Sequence, residues 1–235
     1  MTAGTTLLAF DFDGTLAPIR PNPNEVRMER GAAALLGEAS HIRGVSVAVL
    51  SGRDVADVAW RVNIPGAYIV GSHGLEIVAP GGVTIRDTPP LEVEPEAALL
   101  QEIEASGLRI ERKKHAIALH WRGVPYPAIE PVVDGFRDWA RRRRLDVIEG
   151  RCVVEARAPG GRKESALRWL AHAVGASRIV YAGDDITDFG PLRFASEHGA
   201  AVFMASDERP APPDVIVAGS FRELLQIIRE EVMIC

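Results

Sequence analysis

Asp11 and Asp13 flank Phe12 in the run Asp11-Phe12-Asp13-Gly14-Thr15, which follows directly on the apolar residues 7–10. If those apolar residues form a strand, its period of two turns both carboxylates to one side and Phe12 to the other. Gly14 then lets the chain turn away tightly. Like charges this close cannot both stay bare, so either a cation joins them or one binds a proton. A second acidic cluster, Gly183-Asp184-Asp185-Ile186-Thr187-Asp188, follows another apolar run at 179–182. Carboxylates from two strand ends suit a hard divalent cation with oxygen ligands, and Mg²⁺ fits that description. Ser51-Gly52-Arg53 follows a third apolar run and offers a hydroxyl and a helix N-terminus to an anion. Lys163 opens a helical stretch ahead of the second cluster and adds a positive charge. Singly, Ser51 reads as a helix cap and Lys163 as a solvated lysine. Together they describe one site that holds a cation and an anion.

For these groups to converge, the runs that precede them must be neighbouring strands ending on one edge. Apolar runs at 7–10, 45–50, 67–70, 178–182, 200–204 and 215–217 read as buried strands. Segments 25–39, 54–62, 164–174 and 221–232 carry helical period. Gly175 is placed as a left-handed cap, and Ser220 with Glu223 three residues on is a capping-box pattern. Strands alternating with helices predict a parallel sheet covered on both faces. In such open sheets, ligands bind outside the carboxyl ends of the strands.

The stretch from about Pro80 to Pro159 breaks this alternation and reads strand, helix, strand, strand, helix, strand, strand. Gly81-Gly82 predicts a hairpin turn, and Pro95 opens a helix that stops before Gly107. Residues 109–113 and 116–121 alternate as two antiparallel strands, 129–144 form an amphipathic helix, and 145–148 and 152–157 are strands. An α+β unit at 81–158 is therefore expected as an insertion into an α/β unit made of 1–80 and 159–235. Glu155, between Val154 and Ala156, is a carboxylate among apolar neighbours and calls for a partner. The arginine run 141–144 falls in the last turn of its helix, where cations complement the dipole.

Composition narrows the function. The 235 residues include 27 basic and 32 acidic side chains, a net charge of −5, which argues against a protein that coats nucleic acid. Binding one small anion needs only a few local cations and stays open. Two cysteines, Cys152 and Cys235, are too few for a disulfide framework and lack metal or redox spacing. Cys152 is expected as a buried strand residue. No apolar stretch approaches the ~20 residues that span a bilayer, and residues 7–10 are too short for a secretory leader. A cytoplasmic monomer is the expectation, with neither nucleic acid nor membrane as partner. A dinucleotide-binding domain is excluded because no Gly-x-Gly-x-x-Gly follows the first strand.

Asp11-Phe12-Asp13-Gly14-Thr15-Leu16, Ser51, Lys163 and Gly183-Asp184-Asp185 resemble, in order, the four motifs of the haloacid dehalogenase-like hydrolases. The resemblance implies a Rossmann-like parallel-sheet hydrolase core, Mg²⁺ and an aspartyl-phosphate intermediate. It implies Asp11 as nucleophile, and Asp13 as the acid that protonates the leaving oxygen and the base for the attacking water. It implies that Asp11, the backbone carbonyl of Asp13 and Asp184 hold Mg²⁺, supported by Asp185 and Asp188. Ser51 and Lys163 would neutralise the phosphoryl oxygens with the metal. The match narrows through Ser51-Gly52-Arg53, Gly71-Ser72-His73-Gly74-Leu75-Glu76, Lys114, Ala118-Leu119-His120-Trp121-Arg122, Glu155-Ala156-Arg157 and Gly183-Asp184-Asp185-Ile186-Thr187-Asp188. Together these resemble the trehalose-6-phosphate phosphatases. That likeness makes the insertion an α+β cap whose Lys114, His120, Arg122 and Glu155 face a sugar, with Arg53 and His73 on the core side. Trp121 stands where that family has Tyr or Phe, and the proline expected after Arg157 is displaced to Pro159. The sugar-phosphate substrate therefore has rivals in sucrose phosphate and mannosylglycerate phosphate. A non-catalytic receiver-like module would also cluster carboxylates with a lysine, but has no need of the insertion or of Asp13 beside Asp11.

Overall fold

The computed structural model describes residues 5–20, 22–150, 152–205 and 210–233. The chain divides into two compact units, Met1–Asp87 with Arg162–Cys235, and Thr88–Gly161. In the first unit an eight-stranded sheet runs β12-β11-β10-β1-β2-β3-β4-β5. Its strands are β1 (Thr5–Asp11), β2 (Val45–Leu50), β3 (Ala67–Gly71), β4 (Glu76–Ala79), β5 (Val83–Asp87), β10 (Ala176–Gly183), β11 (Gly199–Met204) and β12 (Ile216–Ala218). The six strands from β12 to β3 are parallel, and β4 and β5 close the edge as an antiparallel hairpin.

Alternation along β1 divides the core in two. Leu8 and Phe10 pack with α1 (Arg30–Ala39), α2 (Val55–Val62) and α7 (Phe221–Met233), through Leu36, Val58 and Leu224. Leu7 and Ala9 pack on the other face with α5 (Lys163–Ala173) and α6 (Phe189–His198), through Leu167, Leu170 and Leu192. Each such fully buried aliphatic or aromatic side chain stabilises the fold by about 1.5–3 kcal/mol. The same parity sends Asp11 to the side of Leu7 and Ala9, toward α5, and Phe12 into the opposite core. Register aligns the strand ends: Asp11 lies beside Leu50 of β2, and Phe10 beside Ala182 of β10.

Thr88–Gly161 holds its own four-stranded antiparallel sheet in the order β6-β7-β9-β8. The strands are β6 (Arg109–Arg112), β7 (Ala116–His120), β8 (Asp146–Gly150) and β9 (Val153–Arg157). Helices α3 (Ala97–Ala105) and α4 (Tyr126–Arg142) cover one face, and Leu99, Ile117, Leu119, Phe136, Trp139 and Val154 form its core. Arg141 pairs with Asp138, while Arg142 and Arg143 reach Glu96.

Several expectations shift. The hairpin turn at Gly81-Gly82 is present, but both its strands extend the first sheet, so the unit boundary falls at Asp87/Thr88 rather than after residue 80. The second boundary falls at Gly161/Arg162 rather than after residue 158. Helix 25–39 begins only at Arg30, because Val26 is drawn into the core and the Glu29 N–H donates to the Leu16 carbonyl. Helix α6 was not expected at all. Cys152 is not a strand residue: it sits half-buried in the turn between β8 and β9 with φ +54°; Cys235 lies outside the described residues. Gly175 takes the left-handed conformation expected of it. Ser220 accepts the Glu223 N–H, while the Glu223 carboxylate turns to the Gly219 N–H. Among the described residues, no helix is long and apolar enough to cross a membrane.

Candidate active site

Because β1, β2 and β10 are neighbours in register, the residues that follow them share one edge of the sheet. Asp11 ends β1 almost wholly buried, and the first residue of α5 meets it there: Lys163 Nζ donates to Asp11 Oδ1 at 2.6 Å and to Asp188 Oδ1 at 2.8 Å. Asp188 takes four donors. Lys163 and the Tyr181 hydroxyl (2.6 Å) share Oδ1, and the backbone N–H groups of Asp184 and Asp185 share Oδ2 at 3.3 and 3.1 Å. That accounts for a carboxylate with no solvent exposure. Thr15 Oγ1 donates to Asp184 Oδ1 at 3.2 Å. A Cβ at Gly14 would lie 2.0 Å from Asp184 Oδ2, so only glycine permits this approach of β1 and β10 loops.

The electrostatics follow from burial. Desolvation lifts the Asp11 carboxyl well above the usual carboxylate range; the Lys163 charge opposes this, and Asp188 and Asp184 add to it. Asp184 is pushed up to about 6, again chiefly by burial and by Asp188. Burial works against the Lys163 ammonium, yet Asp11 and Asp188 hold its proton above the ordinary lysine value. Burial, then Asp188, raises the Tyr181 phenol. One ammonium thus faces three carboxylates, and the surplus negative charge is what a divalent cation would neutralise. Carboxylate oxygens of Asp11, Asp184 and Asp188 lie within 4.8 Å of one another, an all-oxygen donor set that fits a hard cation such as Mg²⁺. With its acceptor positions occupied by protein donors, Asp188 fits a supporting place, and Asp11 and Asp184 that of ligands. Asp185 caps the turn 186–188 reciprocally with Asp188.

Asp13 sits outside this buried knot. Arg53 grips it with two bonds of 2.7 Å, Nε to Oδ2 and Nη2 to Oδ1, and gives Nη1 to Asp57 at 2.9 Å. Arg61 holds the other oxygen of Asp57, so the planar guanidinium of Arg53 is fixed at both ends. Ser51 is buried directly beyond β2, and its Oγ accepts the Arg53 N–H at 3.1 Å. His73 lies against the same loop: a Cβ at Gly52 would be 2.5 Å from its Nε2.

In the second unit, antiparallel register puts Glu111, Ala118, Glu155 and Ile148 in one row, on the face away from the apolar residues Ile117, Leu119 and Val154. Glu155 has the partner its surroundings required: Lys113 Nζ donates to its Oε2 at 2.5 Å. Lys114 lies past the end of β6, where its carbonyl accepts the Leu91 N–H. His120 Nε2 bonds Glu111 Oε2 at 2.8 Å, which with partial burial opposing holds that carboxyl down at about 2. Arg122 is exposed in the turn after β7. Within the first unit, therefore, Asp11, Asp13, Ser51, Arg53, His73, Lys163, Asp184, Asp185 and Asp188 gather at adjoining strand ends. Within the second, His120 and Glu155 share a polar face. Thr15, Asp57, Tyr181, Glu111 and Lys113 complete the two groups without having been singled out from sequence. The i,i+4 spacing of Arg53 and Asp57 and the period-two spacing of Glu111 and Lys113 were local signals among them.

The trehalose-phosphatase family profile matches residues 9–208. The trehalose-phosphate phosphatase of Mycobacterium marinum is 32% identical over 220 residues, 88% of this chain and 56% of the relative. That of Mycobacterium tuberculosis is 34% identical over 205 residues, 82% of this chain and 52% of the relative. The chain thus spans about half the length of these relatives. A crystal structure of a trehalose-6-phosphate phosphatase related protein superposes with a TM-score of 0.70 at 23% identity and 97% coverage of both chains, a likeness of fold. The matched span runs through β1, the Ser51 loop, Lys163 and the acidic turn after β10, and on this ground the chain belongs to the trehalose-phosphatase family.

Proposed function

We propose that the chain is a Mg²⁺-dependent phosphatase that hydrolyses trehalose 6-phosphate to trehalose and phosphate through an aspartyl-phosphate on Asp11. The observation that carries the reading is the buried Asp11 at the end of the central strand, bonded to Lys163 at 2.6 Å, with Asp13 two residues on. Asp11 attacks phosphorus in line, and the bond to the sugar oxygen breaks as the new P–O bond forms. Asp13 delivers a proton to that leaving oxygen, then takes one from the water that cleaves the aspartyl-phosphate. Arg53 orients Asp13 for both transfers through its two-point grip. Ser51 and Lys163 contribute a hydroxyl and a positive charge to the phosphoryl oxygens. Asp11, the main-chain carbonyl of Asp13 and Asp184 would hold Mg²⁺, with Asp185 and Asp188 in support. When bound, the metal neutralises charge on the transferring group.

Residues 88–161 serve in this reading as the cap that selects the sugar. Its polar face carries Glu111, Lys113, His120 and Glu155, charged acceptors and donors suited to the many hydroxyls of a disaccharide. Arg53 and His73 belong to the phosphate side. The relatives' names support trehalose 6-phosphate over sucrose phosphate or mannosylglycerate phosphate. Phosphate release from these three substrates, with and without Mg²⁺, tests it. The expected result is a kcat/KM for trehalose 6-phosphate at least about 100-fold above the others and no turnover in chelator. Equal rates on all three would overturn the substrate, and full activity in chelator the metal.

A further inference from the structure

Ser72 and His73 both adopt left-handed backbone, with φ of +49° and +55°, and Gly74 follows at +108°. Two consecutive side-chain-bearing residues in this region are costly, and persist only where the surroundings impose them. Here the turn performs a definite task. Its Ser72 N–H donates to the Arg53 carbonyl at 2.7 Å and its His73 N–H to the Ser51 carbonyl at 2.9 Å, so it grips the Ser51-Gly52-Arg53 loop from behind. Glu76, itself almost fully buried, ties the turn to the element that follows the loop. Its Oε2 accepts the Ser72 hydroxyl at 3.0 Å and the Val55 N–H at 3.0 Å. Val55 is the first residue of α2, and the Asp54 side chain before it makes no cap of its own. Gly71 makes the juxtaposition possible, since a Cβ there would lie 2.3 Å from the Val55 nitrogen. The Ser72 hydroxyl also lies 3.1 Å from Asp54 Oδ1, and with one proton it serves one carboxylate at a time. Arg86 fixes the far end of the turn through the Gly74 carbonyl at 2.8 Å.

We infer that Glu76 is a positioning residue for the Ser51–Arg53 loop: its carboxylate holds Ser72 left-handed so that the turn's N–H groups set the loop where it meets the phosphoryl group. This rests on the proposed reading of that loop as part of the phosphate site. The test measures kcat/KM on an aryl phosphate and the inhibition constant of inorganic phosphate, which does not depend on the fraction of active enzyme. Glu76→Met, similar in size but without an acceptor, raises the phosphate inhibition constant about tenfold and lowers kcat/KM at least as much. Glu76→Gln keeps one acceptor oxygen and recovers most of both. Adding Ser72→Gly to Glu76→Met restores much of the loss, because glycine takes positive φ unaided. Ser72→Ala against Ser72→Gly gives the same answer should Glu76→Met not fold: alanine is the more impaired. A wild-type phosphate constant in Glu76→Met, no recovery with Ser72→Gly, or equal impairment by alanine and glycine each overturn the inference. Ser51→Ala separates it from the reading beneath: if that variant too leaves the phosphate constant unchanged, the loop is not a phosphate site at all.

Discussion

Asp11→Asn keeps the shape of the side chain and removes its nucleophilic charge, so turnover falls by about 10⁴-fold or more while the far-ultraviolet circular dichroism stays that of the parent. Turnover within tenfold of the parent would end the covalent mechanism. Burial and mutual repulsion raise Asp11 and Asp184, which gives stability a definite pH dependence. A carboxyl whose folded pKa lies above its unfolded value favours the fold while both states are protonated, and loses that contribution as pH climbs through the folded pKa. For Asp184 the loss runs from about pH 4 to beyond about 6 in metal-free protein. A divalent cation would offset the repulsion where it is greatest. The gain in Tm on adding Mg²⁺ to chelated protein is therefore small at pH 5 and larger at pH 7.5; a gain independent of pH would mean that these carboxylates do not hold the ion.

At the scale of elements, the row of polar residues on β6, β7 and β9 carries the substrate reading. Glu155→Ala or Lys113→Ala should each lower kcat/KM for trehalose 6-phosphate by about 1.5–3 kcal/mol, the usual worth of a charge-assisted hydrogen bond, and leave an aryl phosphate nearly unaffected. Lys114→Ala should do less than Lys113→Ala on the sugar phosphate, and the reverse order would return the expectation drawn from sequence. The place of Lys113 beside Glu155 is only partly legible in the sequence. Period two already puts Lys113, not Lys114, on the side of Glu111, but the chain leaves β6 after Arg112, and nothing local in the sequence marks that exit. The strands that deliver Asp11, Ser51 and Asp184 were legible because each is a continuous apolar run buried on both faces. Their hydroxyl and carboxylates then fell at strand ends, and Lys163 at the start of α5, by order alone. Helix α6 was not legible: Gly190 and Pro191 read as breakers, although proline is tolerated in a first turn. The Gly81-Gly82 turn could be read, but which sheet its strands join could not, since Ile77 finds Val70 across a tight left-handed turn. Tyr181 was hidden among apolar strand residues because only the fold brings Asp188 to its hydroxyl.

For the whole molecule, the division at Asp87/Thr88 and Gly161/Arg162 leaves the second unit as one unbroken piece of chain with a complete sheet, two helices and a separate core around Phe136 and Trp139. Expressed alone, residues 88–161 should fold, with a cooperative thermal transition by circular dichroism; at this size the stability is only a few kcal/mol. A broad, non-cooperative melt would show that the unit depends on the remainder of the chain. The first unit has no such continuity and needs both of its segments, because β1 lies between β2 and β10. Among the described residues, β12 and β5 are the outermost strands of its sheet. β12 is only three residues long, which limits what can pair with it, whereas β5 is a five-residue strand that presents Val83 and Ile85 to solvent. Such an edge is a template for edge-to-edge association between molecules. Concentrated or partly heated solutions should therefore turn cloudy through β5, and Val83→Lys with Ile85→Lys should raise the temperature at which light scattering begins while the melting transition stays in place.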